Sequence, residues 1–231
     1  MKTFKRLIII FCALIPVFGV FAFIESYLFN FYPYDVSLNG YFSGILESIT
    51  PSQSDKLIRI NLYNKALTLY QDGTLIQQTK ISAAGNPKYT PTPPGDYKIL
   101  SKEKKHISGI SGLIMPLSLR FRNDGYYIHG FPLNKAGTMI NTPYSNGCIR
   151  LAPGLDQQVY DWVELGTSVK VYNSQLVRAA QDQTVYLLTP DGAKKGIPTP
   201  EVFVAHGFDW SQIAIVPMAE ILNYPTDGLV E

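Results

Sequence analysis

Cysteine is scarce in this chain: 231 residues hold two, Cys12 and Cys148. That excludes a disulfide framework as the basis of the fold. Histidine is nearly as rare. His106, His129 and His206 are scattered along the chain without a ligand cluster. A zinc site has no donor set here, and no metal or cofactor is expected. Charge is thin too, at 16% of residues with a formal net charge of +2, and no run of Lys or Arg exceeds two residues. Nucleic acid needs a clustered basic face, so it is not an expected partner. Low charge combined with 46% hydrophobic residues argues for a folded chain rather than a disordered one.

One long apolar run stands out. Leu7 to Ile24 carries no charge and follows Lys2, Lys5 and Arg6. A basic flank before an apolar run is the pattern of an export signal or a signal anchor. Residues 1–25 are therefore expected to be a signal anchor or a signal peptide. The run at 7–24 is close to the shortest that spans hydrocarbon, with Tyr27, Phe29, Phe31, Tyr32 and Tyr34 placed for the outer interface. Val20-Phe21-Ala22 offers a small-residue cleavage site, so both readings stand. Either way the basic end stays in the cytoplasm, and everything after residue 25 is expected on the extracytoplasmic face of the membrane, single-pass anchored or exported. Cys148 then has no partner thiol in a compartment where thiols tend to pair.

Glycine and proline are plentiful, at eighteen and sixteen, and favour a β-rich fold with many turns. Residues 26–56 read as a linker or stalk, with a short helix around 42–49. From Leu57 the hydrophobic period becomes two, and Asp72-Gly73 is a strong hairpin signal between strands at 66–71 and 75–82. Thr90 to Gly95 is rigid, with three prolines and a closing glycine. Strands are expected at 97–100, 126–129 and 169–172, a polar loop at 102–112, and a helix over 152–165 stopped by Gly166. The sum is a mostly antiparallel β-domain over 57–173 with one short helix. Residues 183–231 read as a small α+β unit, either a binding module or an extension packed on the main domain. In it Trp210, Phe208 and Tyr186 serve to stack on sugar rings or to fill a small apolar core.

The stretch Tyr144-Ser145-Asn146-Gly147-Cys148-Ile149-Arg150 concentrates the chemistry. A thiol needs a base or a positive potential to react. His129 closes a strand nineteen positions before Cys148, a gap that allows a strand end, a loop and a return to the same edge. Gly147 lets the chain turn sharply and aims the Gly147 and Cys148 N–H groups at a developing oxyanion, each donor contributing about 3–4 kcal/mol. Arg150, two positions past the thiol, shares its face in a strand and suits a substrate carboxylate.

The segments TPTPPGDYKIL, MPLSLRF, YYIHGF and YSNGCIRL occur in an order that resembles the YkuD-type L,D-transpeptidase catalytic domain, over about residues 57 to 172. The resemblance implies an L,D-transpeptidase-like β-sandwich or barrel. It implies a Cys148 nucleophile and His129 as acid and base, with Ser145, Asn146 and Gly147 in the oxyanion loop and Arg150, Gly130 and Tyr127 against the substrate. It implies peptidoglycan stem peptides as partners: an L,D bond is cleaved through a Cys148 thioester and the acyl group passes to an amine. Water as acceptor would give an L,D-carboxypeptidase, and a decayed wall-binding protein is the non-enzymatic alternative. Asn146 departs from the family pattern, which has His there; Asn keeps hydrogen bonding but carries no charge.

Overall fold

The computed structural model describes residues 55–231. The expected membrane segment at 7–24, nearly all of the linker and the helix around 42–49 lie outside the described residues. No helix among the described residues is long and apolar enough to cross a membrane.

The first part of the described chain is mainly β, as expected. Its strands are β1 (Lys56–Asn61), β2 (Ala66–Gln71), β3 (Thr74–Lys80), β4 (Gly95–Lys98), β5 (Ser101–Ile107), β6 (Ile114–Arg120), β7 (Tyr127–His129) and β8 (Ile149–Arg150). Helix α1 (Leu155–Trp162) and strand β9 (Ser168–Tyr172) complete it. They form two sheets, ordered β3-β2-β1-β9-β4 and β5-β6-β7-β8. Asp72 and Gly73 both take positive φ, 50° and 74°. Those angles suit a two-residue turn whose twist matches the β2–β3 strands. Between the sheets, Ile58, Ile60, Leu67 and Leu69 pack in one cluster with Leu119, Ile128 and Ile149, and Val159 and Val163 close it from the helical side.

β1 and β2 are buried on both faces, which simple alternation does not announce. Ile58 lies opposite Leu69 and Ile60 opposite Leu67, all toward the cluster between the sheets. The other face carries Arg59 opposite Thr68, with Tyr70 beside them, and these are buried too. What covers them is the C-terminal unit. It comprises β10 (Leu176–Arg178), β11 (Tyr186–Leu188), β12 (Lys194–Gly196), helix α2 (Pro200–Ala205), a 3-10 turn at Trp210–Gln212, β13 (Ala214–Ile215), helix α3 (Met218–Leu222) and β14 (Thr226–Leu229). Its sheet runs β13-β10-β11-β12-β14. Arg59 Nε donates to Glu220 of α3 at 2.8 Å, and Tyr172 and Tyr70 hydroxyls donate to the same carboxylate at 2.5 and 3.3 Å. Ala66 and Tyr172 share an apolar cluster with Val177, Leu188 and Ile221. The unit is thus seated on the first sheet by a common core and a buried ion pair.

Several expectations change. Only 108–112 of the segment at 102–112 is a loop: β5 occupies Ser101–Ile107, hidden in sequence by its lysines, which suit an edge strand. β6 and β8 carry no clear period of their own. The C-terminal sheet takes in Leu176–Arg178, so it starts before residue 183. Antiparallel pairing dominates, but β1–β9 and β7–β8 are parallel, and the second of these builds the site.

Candidate active site

β7 and β8 pair in parallel, with Ile128 opposite Ile149 and His129 opposite Arg150. Side chains alternate along strands, so Tyr127 and His129 share one face of this pair with Cys148 and Arg150. His129 and Cys148 are then diagonal neighbours on that face, His129 lying opposite the residue two past the thiol. The register is reinforced outside the strands. Leu151 N–H donates to the His129 carbonyl at 2.9 Å, and Arg150 N–H donates to Ala83 O at 2.8 Å.

The imidazole is almost wholly buried, 2% exposed. Its Nδ1 lies 2.5 Å from the Gly130 carbonyl, so Nδ1 carries the proton and Nε2 keeps a free lone pair. A Cβ on Gly130 would meet Asp156 Oδ2 at 2.2 Å, so a larger residue there would displace the Asp156 side chain of α1 behind the histidine. Burial pushes the imidazole down from 6.5 to about 4; the Gly130 hydrogen bond opposes this, and the Arg150 and His106 charges add to it. His129 is therefore neutral at pH 7.

Cys148 is half-buried and its thiol donates to the Gly125 carbonyl at 4.0 Å. Burial pushes the thiol up, while a backbone hydrogen bond from Tyr127 and the Arg150 charge pull it down. At neutral pH the pair rests as thiol and neutral imidazole, not as thiolate and imidazolium.

The loop before the thiol is tied at every turn. Ser145 Oγ donates to Cys148 O at 2.5 Å and accepts from Gly147 N–H at 3.0 Å. Thr92 Oγ1 donates to Gly147 O at 2.7 Å and accepts from Gly85 N–H at 2.9 Å. Thr90 Oγ1 donates to Ser145 O at 3.0 Å. Gly85 sits so close to the Thr90–Thr92 backbone that a Cβ would lie 2.1 Å from Thr90 O. The rigid Thr-Pro segment thus braces the loop before the thiol. Gly147 has φ +106°, and a Cβ there would strike the Tyr126 ring at 2.5 Å. Its N–H is taken by Ser145, which corrects the expectation that Gly147 and Cys148 both present free amides to an oxyanion. The Cys148 amide is the donor that stays open.

Arg150 is buried, and its Nη1 donates to Thr142 Oγ1 and O at 2.7 and 3.2 Å. Its Nε is buried without a partner among the described residues. Such a group calls for an explanation, and an incoming acceptor supplies one. Asn146 is exposed. Tyr127 is buried and stacks on His106 with ring centroids 4.5 Å apart, and His106 Nδ1 lies 2.9 Å from Glu103 Oε2. His106, in the segment expected to be a polar loop, lies on β5 and borders the site through this stack. Thr92, Thr142 and His106 were not singled out as site residues from sequence, because each is brought in by a strand or loop pairing that leaves no local pattern. His206 is remote in role as well as in sequence, with Nε2 2.6 Å from Glu231 O.

The YkuD L,D-transpeptidase catalytic domain model matches residues 55–171, and the chain belongs to that family. No curated protein matches the chain. Among solved structures, an L,D-transpeptidase from Mycobacterium smegmatis is 26% identical with a TM-score of 0.43, over 51% of this chain and 58% of that one. An L,D-transpeptidase (Yku) from Stackebrandtia nassauensis is 27% identical with a TM-score of 0.44, over 55% of this chain and 59% of that one. The match thus spans a little under three fifths of the length of these solved chains.

The buried imidazole sets a pH dependence. The acid limb of kcat/KM is expected near pH 4 rather than 6.5. The same group affects stability. Between pH 6.5 and 4 the unfolded chain binds a proton that folded His129 refuses. Its contribution is full above the unfolded value and is lost as pH falls through the folded one, by on the order of 3 kcal/mol. Urea midpoints for wild type and His129→Gln between pH 7 and 4 check this: the wild type should lose more.

Proposed function

We propose that this protein is an extracytoplasmic, peptidoglycan-modifying L,D-transpeptidase that works through a Cys148 thioester. His129 Nε2 takes the thiol proton as Sγ attacks the carbonyl carbon of an L,D bond in a stem tetrapeptide. The oxyanion is met by the Cys148 amide. The C–N bond then breaks, His129 returns the proton to the departing D-alanine amine, and a thioester remains. An amine of a second stem attacks, loses its proton to His129, and forms the new amide as Sγ leaves and is reprotonated. Bond energy is kept in the acyl-enzyme, so no ATP is consumed. Arg150 holds a substrate carboxylate through its unpaired Nε, and Tyr127 and Gly130 shape the floor beside it.

The observation that carries this reading is the parallel β7–β8 register, which puts a neutral imidazole with a free Nε2 and a half-buried thiol on one face. Buried Ser145 and the two Thr hydroxyls hold the loop, which fits a working site better than a decayed one. The test is product analysis. The full chain in detergent is incubated with a stem tetrapeptide, with and without a second stem bearing a free side-chain amine. A crosslinked dimer and released D-alanine are expected. Tripeptide alone in both reactions would make it a carboxypeptidase, and no turnover would support a binding protein.

A further inference from the structure

A cavity of about 500 Å³ opens where the catalytic strands meet the C-terminal unit. Tyr63, from the β1–β2 turn, lines it on one side. Asn173 and Gln175, from the β9–β10 connection, and Ser211, Gln212 and Ile213 are among the other residues that line it. The Tyr63 hydroxyl and the side-chain amides of Asn173, Gln175 and Gln212 have no hydrogen-bond partner among the described residues. Four polar groups from three segments therefore line one space, where water satisfies them, and Asn173 and Gln212 are exposed. By contrast, the neighbouring Ser174 hydroxyl is spent on Leu176 O and Gln212 O at 2.7 Å each, and Asn61 Nδ2 holds Ser174 O at 2.8 Å. These bonds fix the connection from which Asn173 and Gln175 project.

The lining carries no ionisable carboxylate, amine or guanidinium. The charges behind it, Arg59 and Glu220, are paired with each other. A phosphate, a carboxylate or a cation gains nothing from such a wall. Neutral hydroxyl and acetamido groups do, since amides both donate and accept and a phenol adds an apolar face with a polar tip. The 3-10 turn that supplies Ser211 and Gln212 begins at Trp210, which stacks on Phe203 at 3.8 Å and is still 52% exposed.

The turn that lines the cavity is also tied to the strand that carries Arg150. Lys65 O, two residues past Tyr63, accepts from Ile81 N–H, and the next residue, Ser82, donates to Arg150 O. The turn that carries Tyr63 is thus joined through residues 80–82 to the strand that carries Arg150.

We propose that this junction cavity is a second substrate contact, a subsite for the uncharged amino-sugar strand to which stem peptides are attached. It rests on the peptidoglycan reading above, and adds that glycan and peptide are held by different parts of one molecule. The C-terminal unit then completes the subsite instead of serving as a detachable binding module.

The test uses the full chain in detergent and two probes: a soluble, peptide-free oligosaccharide of β-linked N-acetylated amino sugars, and a glycan-free stem tetrapeptide. Wild type is expected to bind the oligosaccharide, and Gln175→Ala/Gln212→Ala to bind it about ten-fold more weakly, as two lost hydrogen bonds imply. Tyr63→Phe, which keeps the ring and removes only the hydroxyl, should weaken it by a smaller factor. Acylation of Cys148 by the free tetrapeptide should not change in any variant. Undiminished oligosaccharide binding in the variants, or none by wild type, overturns the subsite while leaving the catalytic reading intact. Oligosaccharide binding lost in the variants without any Cys148 acylation in wild type keeps the subsite and overturns the chemistry.

Discussion

Changing His129 to glutamine is expected to slow acyl transfer about 10²–10⁴-fold, the contribution of a positioned acid–base group. Two observations set the size. The thiol is pushed above its ordinary value by burial, so little thiolate exists before a base removes the proton. The imidazole that would remove it is neutral, with Nδ1 committed to Gly130 O. Glutamine can occupy similar space and hydrogen-bond but cannot take a proton. Both half-reactions should slow, since the same Nε2 serves the leaving amine and the incoming one. Single-turnover rates of thioester formation and aminolysis measure each step. A variant within a factor of three of wild type would remove His129 from the mechanism.

Glu220→Ala is expected to lower the melting temperature by roughly 6–20 °C. Glu220 is 1% exposed and satisfies Arg59, Tyr172 and Tyr70 together. Its loss leaves the Arg59 guanidinium buried without a counter-charge, a defect that costs about 3–5 kcal/mol, and each kcal/mol shifts the midpoint of a domain this size by about 2–4 °C. The substitution lies on the face of the first sheet opposite the core, so the damage should fall first on the seat of the C-terminal unit. Hydrogen exchange would show it: amides of β10 to β14 should lose protection before those of β6 and β7. Equal loss everywhere would mean that the two parts unfold as one.

How much of this was legible in the sequence depended on whether a residue's role is local. Asp72-Gly73 forms a two-residue turn by its own torsions, and the apolar alternation of β1 and β2 marks the face turned to the cluster between the sheets, so both were readable. The mainly β architecture and the family followed from motifs in order. The pairing that puts His129 and Cys148 on one face was readable for the same reason, since both residues sit in short motifs. What was not readable came from pairing at a distance. β5 is lysine-rich because it is an edge, and its lysines made it look like a loop. β8 is two residues long and exists only because β7 lies beside it. The N–H of Gly147 looked free until Ser145 Oγ was seen to take it. Arg59 reads as a surface residue on an alternating strand, and only the arrival of α3 over the second face explains it. The boundary before residue 183 failed because β10 is too short to show a period.

Intact-mass measurement of the full chain quenched in acid after mixing with stem tetrapeptide, with peptide mapping of the adduct, tests the proposed chemistry most directly. The expected result is a tripeptidyl acyl group on Cys148, lost on adding an amine and absent from Cys148→Ala. An unmodified Cys148 in a protein that still releases D-alanine would contradict the thioester route.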